Sequence, residues 1–288
     1  MYTLFLDSDC DVTKKDAEAC GAKLVSMPYD IDGKTIYPYE DFYEFNSRAF
    51  YDQLRGGVLP TTFALSEEKY IEYFEPEFAA GRDILYAHFS AAMTVTFDVM
   101  DGAVKKLKEK YPERRFYEID TKGITIISYN IICEIIDLYK AGKTPEEIIA
   151  WANKEVGHFA QYFFADDLKF FRRSGRVGGL AATMGTMIGI RPIITMSEEG
   201  KMESIGTVKG RAKAMDRLLS YVDELGDDIE HHRVVIGHTD APELAEELRR
   251  QLLEKYPGLH IVTVITNPTA GSHCGPNGVG ISFHAIHR

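Results

Sequence analysis

The residues of this 288-residue chain that could do chemistry fall into three polar clusters, each beside an apolar segment. The first is LPTTFALSEE, where Thr61 and Thr62 follow a proline and precede a helix expected from Ser66. The second is Ser90, the last residue of the apolar run RDILYAHFS and a predicted N-cap for a long helix. A hydroxyl beside the free N–H groups of a helix start can hold an anion, and the same serine could equally do no more than cap. The third is NPTAGSHCGPNGVGIS, which places His273 in a glycine- and proline-rich loop between two apolar strands. Glycines there let a backbone approach a ligand closely. Ser90 with His273 would also make a nucleophile and base, but HFSAA lacks the G-x-S-x-G turn that exposes a hydrolase serine. The glycine-rich stretch 175–189 shows no G-x-G-x-x-G directly after a strand, and there is no Walker motif.

Metal chemistry finds little support. Cys10, Cys20, Cys133 and Cys274 are scattered without a CxxC pair, so neither a disulfide framework nor a structural zinc is expected. His231 and His232 are adjacent in the polar stretch DDIEHHR, a poor geometry for chelation.

The elements that must position these clusters read as alternating strands and helices. YTLFLD, RDILYAHFS and RRFYEID are short apolar runs ending in polar residues, and in the second, where Ile84, Tyr86 and His88 alternate with Leu85, Ala87 and Phe89, both faces are mostly apolar, as in a covered parallel sheet. Helices are expected over 66–78, 91–110 and 121–140, and Thr144-Pro145-Glu146-Glu147 starts another that runs to about Val156. This alternation predicts a doubly wound, mostly parallel α/β domain over residues 1–157. From 158 the texture changes to an aromatic-rich segment and then a glycine-rich one. IRPIITM and KMESIGTV flank a hairpin turn at Ser197–Gly200, followed by helix, strand, helix and strand. Residues 158–288 therefore read as a second α/β domain, packed closely because no low-complexity linker separates the two.

Composition narrows the function. With 45% hydrophobic and 27% charged residues the chain is an ordinary globular sequence. No apolar run approaches the roughly 20 residues needed to span a bilayer, and the acidic N-terminus is not a signal peptide, so stable membrane insertion is not expected and a cytoplasmic place is. The net charge of −11 argues against a nucleic-acid surface. Between Asp166 and Arg217, however, 10 Lys and Arg stand against 6 Asp and Glu, a local +4 that suits an anionic ligand or an acidic partner, or reflects ordinary scatter.

Taken in order, LDSDCDV, LPTTFALS, AHFSAAMTVTF, EIDTKGITI, FFADDLKFFRRSGRVGG, VKGRAKAM, IGHTDAPELAEEL and AGSHCGPNGVGISF resemble the DegV family of bacterial fatty-acid-binding proteins over essentially the whole chain. The resemblance implies two α/β domains with a lipid tunnel between or near them, and a carboxylate site at Thr62, Ser90 and His273. It departs at Phe63, Leu65 and Ala91–Thr94, where the family usually has hydroxyl, proline and small glycine-and-serine residues; these changes bear on pocket shape near the head group. It further implies a carrier, not a catalyst, that presents one long-chain fatty acid to a dihydroxyacetone-kinase-like fatty acid kinase for phospholipid synthesis. No metal or redox cofactor is implied. Lys169, Arg172, Arg173, Arg176, Lys209 and Arg211 are then candidates for docking that kinase. The rival expectation is an esterase or small-molecule kinase acting at the same cleft through Ser90 and His273.

Overall fold

The computed structural model describes residues 1–166, 168–178 and 189–288. The chain opens with β1 (Tyr2–Asp7), whose last five residues are buried. Helix α1 (Lys14–Cys20) starts in a reciprocal capping box between Thr13 and Asp16 and is followed by β2 (Lys23–Val25). Next come β3 (Tyr29–Ile31), β4 (Lys34–Ile36), α2 (Ser47–Arg55) and the two-residue β5 (Thr61–Thr62). Then α3 (Glu67–Ala79), β6 (Asp83–His88), α4 (Thr96–Lys110), β7 (Phe116–Asp120), α5 (Ile126–Lys140) and α6 (Pro145–Glu155) follow. Strands β2, β1, β6 and β7 make an all-parallel sheet in that order, and β4, β3 and β5 make a small antiparallel one.

The second large sheet begins at β8 (Phe159–Phe164). After it come α7 (Lys169–Ser174), β9 (Val177–Gly178), β10 (Ile190–Met196), β11 (Met202–Lys209), α8 (Arg211–Leu225), β12 (Arg233–His238), α9 (Pro242–Lys255), β13 (His260–Ile265), α10 (Pro268–Cys274) and β14 (Val279–His284). Its order is β13-β12-β14-β8-β10-β11-β9. The pairs β12–β13 and β11–β9 are parallel; the others are antiparallel. The aromatic segment after residue 157 thus supplies an interior strand, and the expected β10–β11 hairpin closes at Gly200, whose φ of 82° suits only a glycine well.

Three local expectations are corrected. Ser90 does not cap the long helix: it caps a single 3-10 turn, Ala91–Met93, and α4 starts only at Thr96, without a side-chain cap. Helix α5 starts at Ile126, not at 121, because the chain first turns through Lys122 and Thr125, both at positive φ. His273 lies on a helix, α10, not in a loop. Pro268 at the first turn and Asn267, whose Oδ1 accepts the Ala270 N–H at 2.9 Å, start that helix.

Helix α5 is the wedge between the two large sheets. Ile126, Ile127, Ser128, Asn130, Ile131, Ile132 and Ile135 are buried, so it is apolar well beyond one stripe, as a helix covered on both sides must be. The Thr125 N–H donates to the Asp9 carbonyl at 2.9 Å on one side, and the Ile127 N–H donates to Gln161 Oε1 at 3.1 Å on the other. Gly237 on β12 permits the contact, since a Cβ there would stand 2.2 Å from the Ile126 side chain. The main apolar core runs from Leu4, Phe5 and Leu85 through Ile131 to Phe159, Ile194 and Met202, crossing from one sheet to the other. Truncating a buried residue such as Ile131 to alanine should cost about 2–5 kcal/mol.

Candidate ligand-binding site

Strands β8, β11, β12 and β14 of the second large sheet, β5 of the small sheet and the turns after β1 and β6 bound a cavity of about 520 Å³, within the range of small-molecule sites. Most of its wall is apolar: Phe89, Met93 and Val95 before α4, Ile124 and Ile126 at the start of α5, and Phe163, Phe164 and Val279 from the second sheet. Phe63 and Val95 are also well exposed.

Two of the three candidate binding residues meet on this wall. Thr62 Oγ1 lies 2.8 Å from His273 Nε2. Strand β5 sets Thr62 by pairing it with Tyr29, and α10 sets His273. The start of α10 is in turn anchored by the acidic turn after β1: the Asn267 N–H and Nδ2–H both donate to Asp11 Oδ1 at 2.8 Å. Burial, with the positive charges of Arg176 and Arg173 beside it, pushes His273 down to about 4, so the imidazole is neutral near pH 7. Arg173 donates to the Pro60 carbonyl at 2.5 Å, and Arg176 lies on the cavity wall. In one tautomer His273 Nε2–H donates to Thr62 and leaves the threonine O–H free; in the other the hydroxyl donates to Nε2.

Ser90 is not brought to this wall. It is fully buried, its Oγ accepts the Ala92 N–H at 3.2 Å, and it packs on Gly200, where a Cβ would come within 2.2 Å of that oxygen. Thr94, four residues on, lines the cavity instead. Its Oγ1 accepts the Thr96 N–H at 3.1 Å, which leaves the Thr94 O–H to donate elsewhere. The sequence showed a hydroxyl at both positions, and nothing in their spacing says which way each points once the chain enters a 3-10 turn. Among the described residues Ser90 and His273 share no hydrogen bond, so the structure does not assemble the nucleophile–base pair. Cys274 offers no substitute, because burial and nearby Asp11 push its thiol up to about 12.

The basic candidates are divided. Arg211 pairs with Asp166, as does Arg191 through Nε at 2.7 Å; these two cations hold the Asp166 carboxyl below its usual value against the opposing effect of burial. Lys169 lies 4.9 Å from the Phe170 ring centre, and Arg172 is exposed. Asp167 and the glycine-rich residues 179–188 fall outside the described residues.

The acidic turn Asp7–Asp11 has more chemistry than its reading as a strand end implied. Burial raises Asp7 to about 6, although the Tyr86 hydroxyl and the Asp9 N–H donate to it at 2.6 and 2.7 Å. Burial raises Asp11 to about 7 against the two Asn267 donors. Asp9, raised by burial and then by both neighbours, stands on the cavity wall itself. Among the described residues no group of three or more His, Cys, Asp and Glu is placed to hold a metal, and no helix is long and apolar enough to cross a membrane.

An α/β protein of two large sheets, with a mostly apolar cavity that carries a hydroxyl–imidazole pair on its wall, is the class that this fold and site define. Within it, residues 2–285 match the profile described as "Uncharacterised protein, DegV family", and the chain belongs to the DegV family. A DegV domain-containing protein of Clostridium perfringens is 28% identical over 282 residues, covering 98% of this chain and 97% of its own. Among solved structures, a stearic-acid-binding protein of Eubacterium ventriosum superposes with a TM-score of 0.87 at 19% identity, covering 99% of this chain and 98% of its own. A fatty-acid-binding DegV family protein of Thermus thermophilus does so with 0.85 at 20% identity and 99% of each chain. At such identity these two show the shared fold.

Proposed function

We propose that this protein binds one long-chain fatty acid in the cavity, holds its carboxylate at Thr62 and His273 with Thr94, and presents it in the cytoplasm to a fatty acid kinase. The observation that carries the reading is the Thr62–His273 pair, with Arg176, on the wall of an otherwise apolar cavity. Burying 14 or so methylenes at about 0.8 kcal/mol each supplies roughly 11 kcal/mol of gross driving force, ample after the cost of immobilising a flexible ligand. A buried carboxylate must then have its oxygens met, and two hydroxyls, an imidazole and a guanidinium can do so. An arriving carboxylate also favours protonation of His273, offsetting the repulsion by Arg176 and Arg173. The fatty acids bound by the Eubacterium and Thermus relatives support the same ligand class.

On this reading the protein is a carrier without catalytic residues of its own. Lys169, Arg172, Arg173 and Arg176 are proposed to face the kinase, whereas Arg211 is taken up by Asp166. The test is native mass spectrometry of the purified protein followed by titration of delipidated protein with palmitate and oleate. One fatty acid per chain is expected, and no binding of either would refute the reading. Arg172→Ala, which alters an exposed cation, should leave fatty-acid affinity unchanged and slow phosphorylation by a cognate kinase; an unchanged rate would remove Arg172 from the docking surface.

A further inference from the structure

Thr62 and His273 reach the cavity wall from different sheets. Thr62 is the last residue of the small sheet, whose Tyr29 packs with Phe50, Tyr51 and Leu54 of α2 and Phe170 of α7 in an apolar cluster separate from the main core. The main core takes up the chain on either side of this unit, at Met27 and Leu65. His273 stands on α10, between β13 and β14 of the second large sheet. The spacing of the pair is therefore set by how the small sheet and α2 sit against the second sheet. Tyr51 helps to fix that seat, since its hydroxyl donates to the Thr266 carbonyl at 2.9 Å.

One side chain of α2 grips two turns of the second sheet at once. Arg55 Nη1 donates to Asp240 Oδ2 at 2.6 Å, while Nη2 donates to the Asp240 carbonyl and to Asn277 Oδ1, both at 3.1 Å. Asp240 lies between β12 and α9, and Asn277 lies between α10 and β14. The two turns also hold each other: the Asn277 N–H donates to the Thr239 carbonyl and the Gly278 N–H to Thr239 Oγ1, both at 2.7 Å. Thr239 and Gly278 line the cavity, whereas Arg55 is not on its wall. We propose that Arg55 is a positioning residue for the head group: by clamping α2 to these turns it holds the small sheet, and so Thr62, at hydrogen-bonding distance from His273. This rests on the carboxylate reading above. A lone exposed ion pair would contribute little, but a planar guanidinium engaged at three acceptors on two segments fixes orientation as well as distance. The Asp240 side chain is 10% exposed, so water competes little for its carboxylate. Lysine, a point charge on a flexible stem, could not span both turns in this way.

The experiment reads the His273 ring by nitrogen NMR in the delipidated full-length protein, and the affinities for palmitate and hexadecanol by calorimetric titration. Arg55→Met keeps an unbranched stem and removes the guanidinium. It should move the His273 ring signals in the same direction as Thr62→Val, which deletes the hydroxyl directly. It should also weaken palmitate binding by roughly tenfold, while hexadecanol, which brings no charge, loses no more than about threefold. Arg55→Lys should fall between wild type and Arg55→Met in both readouts. Should Arg55→Met fail to fold, Asn277→Gly serves in its place: it suits the left-handed backbone there, φ 66°, and removes one acceptor of the fork, so smaller changes of the same sign are expected. Unchanged ring signals, or moved signals with unchanged palmitate affinity, would overturn the inference, whatever the variants lose in stability. Failure of the wild type to bind palmitate would overturn the fatty-acid reading, and the ring signals would then decide by themselves whether Arg55 positions the Thr62–His273 pair.

Discussion

The two polar regions of the cavity wall are both buried, yet burial drives them in opposite directions. At the His273 end, desolvation and two guanidinium groups remove a proton from a base; at the Asp7–Asp11 turn, desolvation adds protons to acids. Both regions arrive near neutral pH with less charge than free side chains would carry. The difference lies in what each still lacks. The His273 end has donors and positive potential to spare, which suits an incoming carboxylate, while the acidic turn has spent its donors on itself: Asn267, Tyr86 and the Asp9 N–H are all engaged.

The largest effect expected from this contrast is on stability against pH. Asp11 titrates at about 7 when folded and near 3.8 when unfolded, so between those values the folded state keeps a proton that the unfolded state has lost. Stability from this group therefore falls as pH rises through the window, by up to about 4 kcal/mol. His273 has the opposite sign: with a folded value of about 4 against 6.5 unfolded, its contribution is lost as pH falls through that range. Asp11→Asn keeps the acceptor for Asn267 and removes the titration. Urea denaturation at pH 4.5 and 7.5 should show this variant gaining stability relative to wild type by a few kcal/mol at the higher pH. A difference independent of pH would break the contrast at its acidic end.

Next in size is the head group. Thr62→Ala and His273→Ala should each weaken fatty-acid binding by roughly 10- to 150-fold, the worth of a hydrogen bond to a charged group, as read by calorimetric titration. Their effects should not add, because both residues serve one carboxylate. A fatty alcohol of equal length should lose less from either change; an equal loss would show that these residues do not recognise the charge. Thr94→Val, which keeps the shape and deletes the O–H, should cost about tenfold in affinity. The smallest change is expected at Ser90. Ser90→Ala removes only a turn cap, so it should cost about 1 kcal/mol or less of stability and leave affinity within error. A tenfold loss at Ser90 with none at Thr94 would reverse this assignment.

Much was legible before the fold was known. The runs YTLFLD and RDILYAHFS became β1 and β6 because a strand buried on both faces must be apolar throughout, and RRFYEID became the edge strand β7, with Ile119 buried and Glu118 exposed. The capping box at Thr144 started α6 because Glu147 three residues on completes its reciprocal hydrogen bonds. Thr62 and His273, 211 residues apart, were visible as types, and the structure brings their side chains within 2.8 Å.

Backbone direction and three-dimensional neighbours were decided only by the tertiary structure. Ser90 and Thr94 are both hydroxyls beside apolar residues; a 3-10 turn and the close approach of Gly200 turn the first away and leave the second on the cavity wall. LDSDCDV read as a strand end, yet α5 and Asn267, from far along the chain, make it a buried acidic turn with Asp9 on the wall. The physical reason is common to both. Hydrophobic period and capping act over a few residues and are written in local sequence, whereas desolvation and hydrogen-bond satisfaction depend on what distant segments bring alongside.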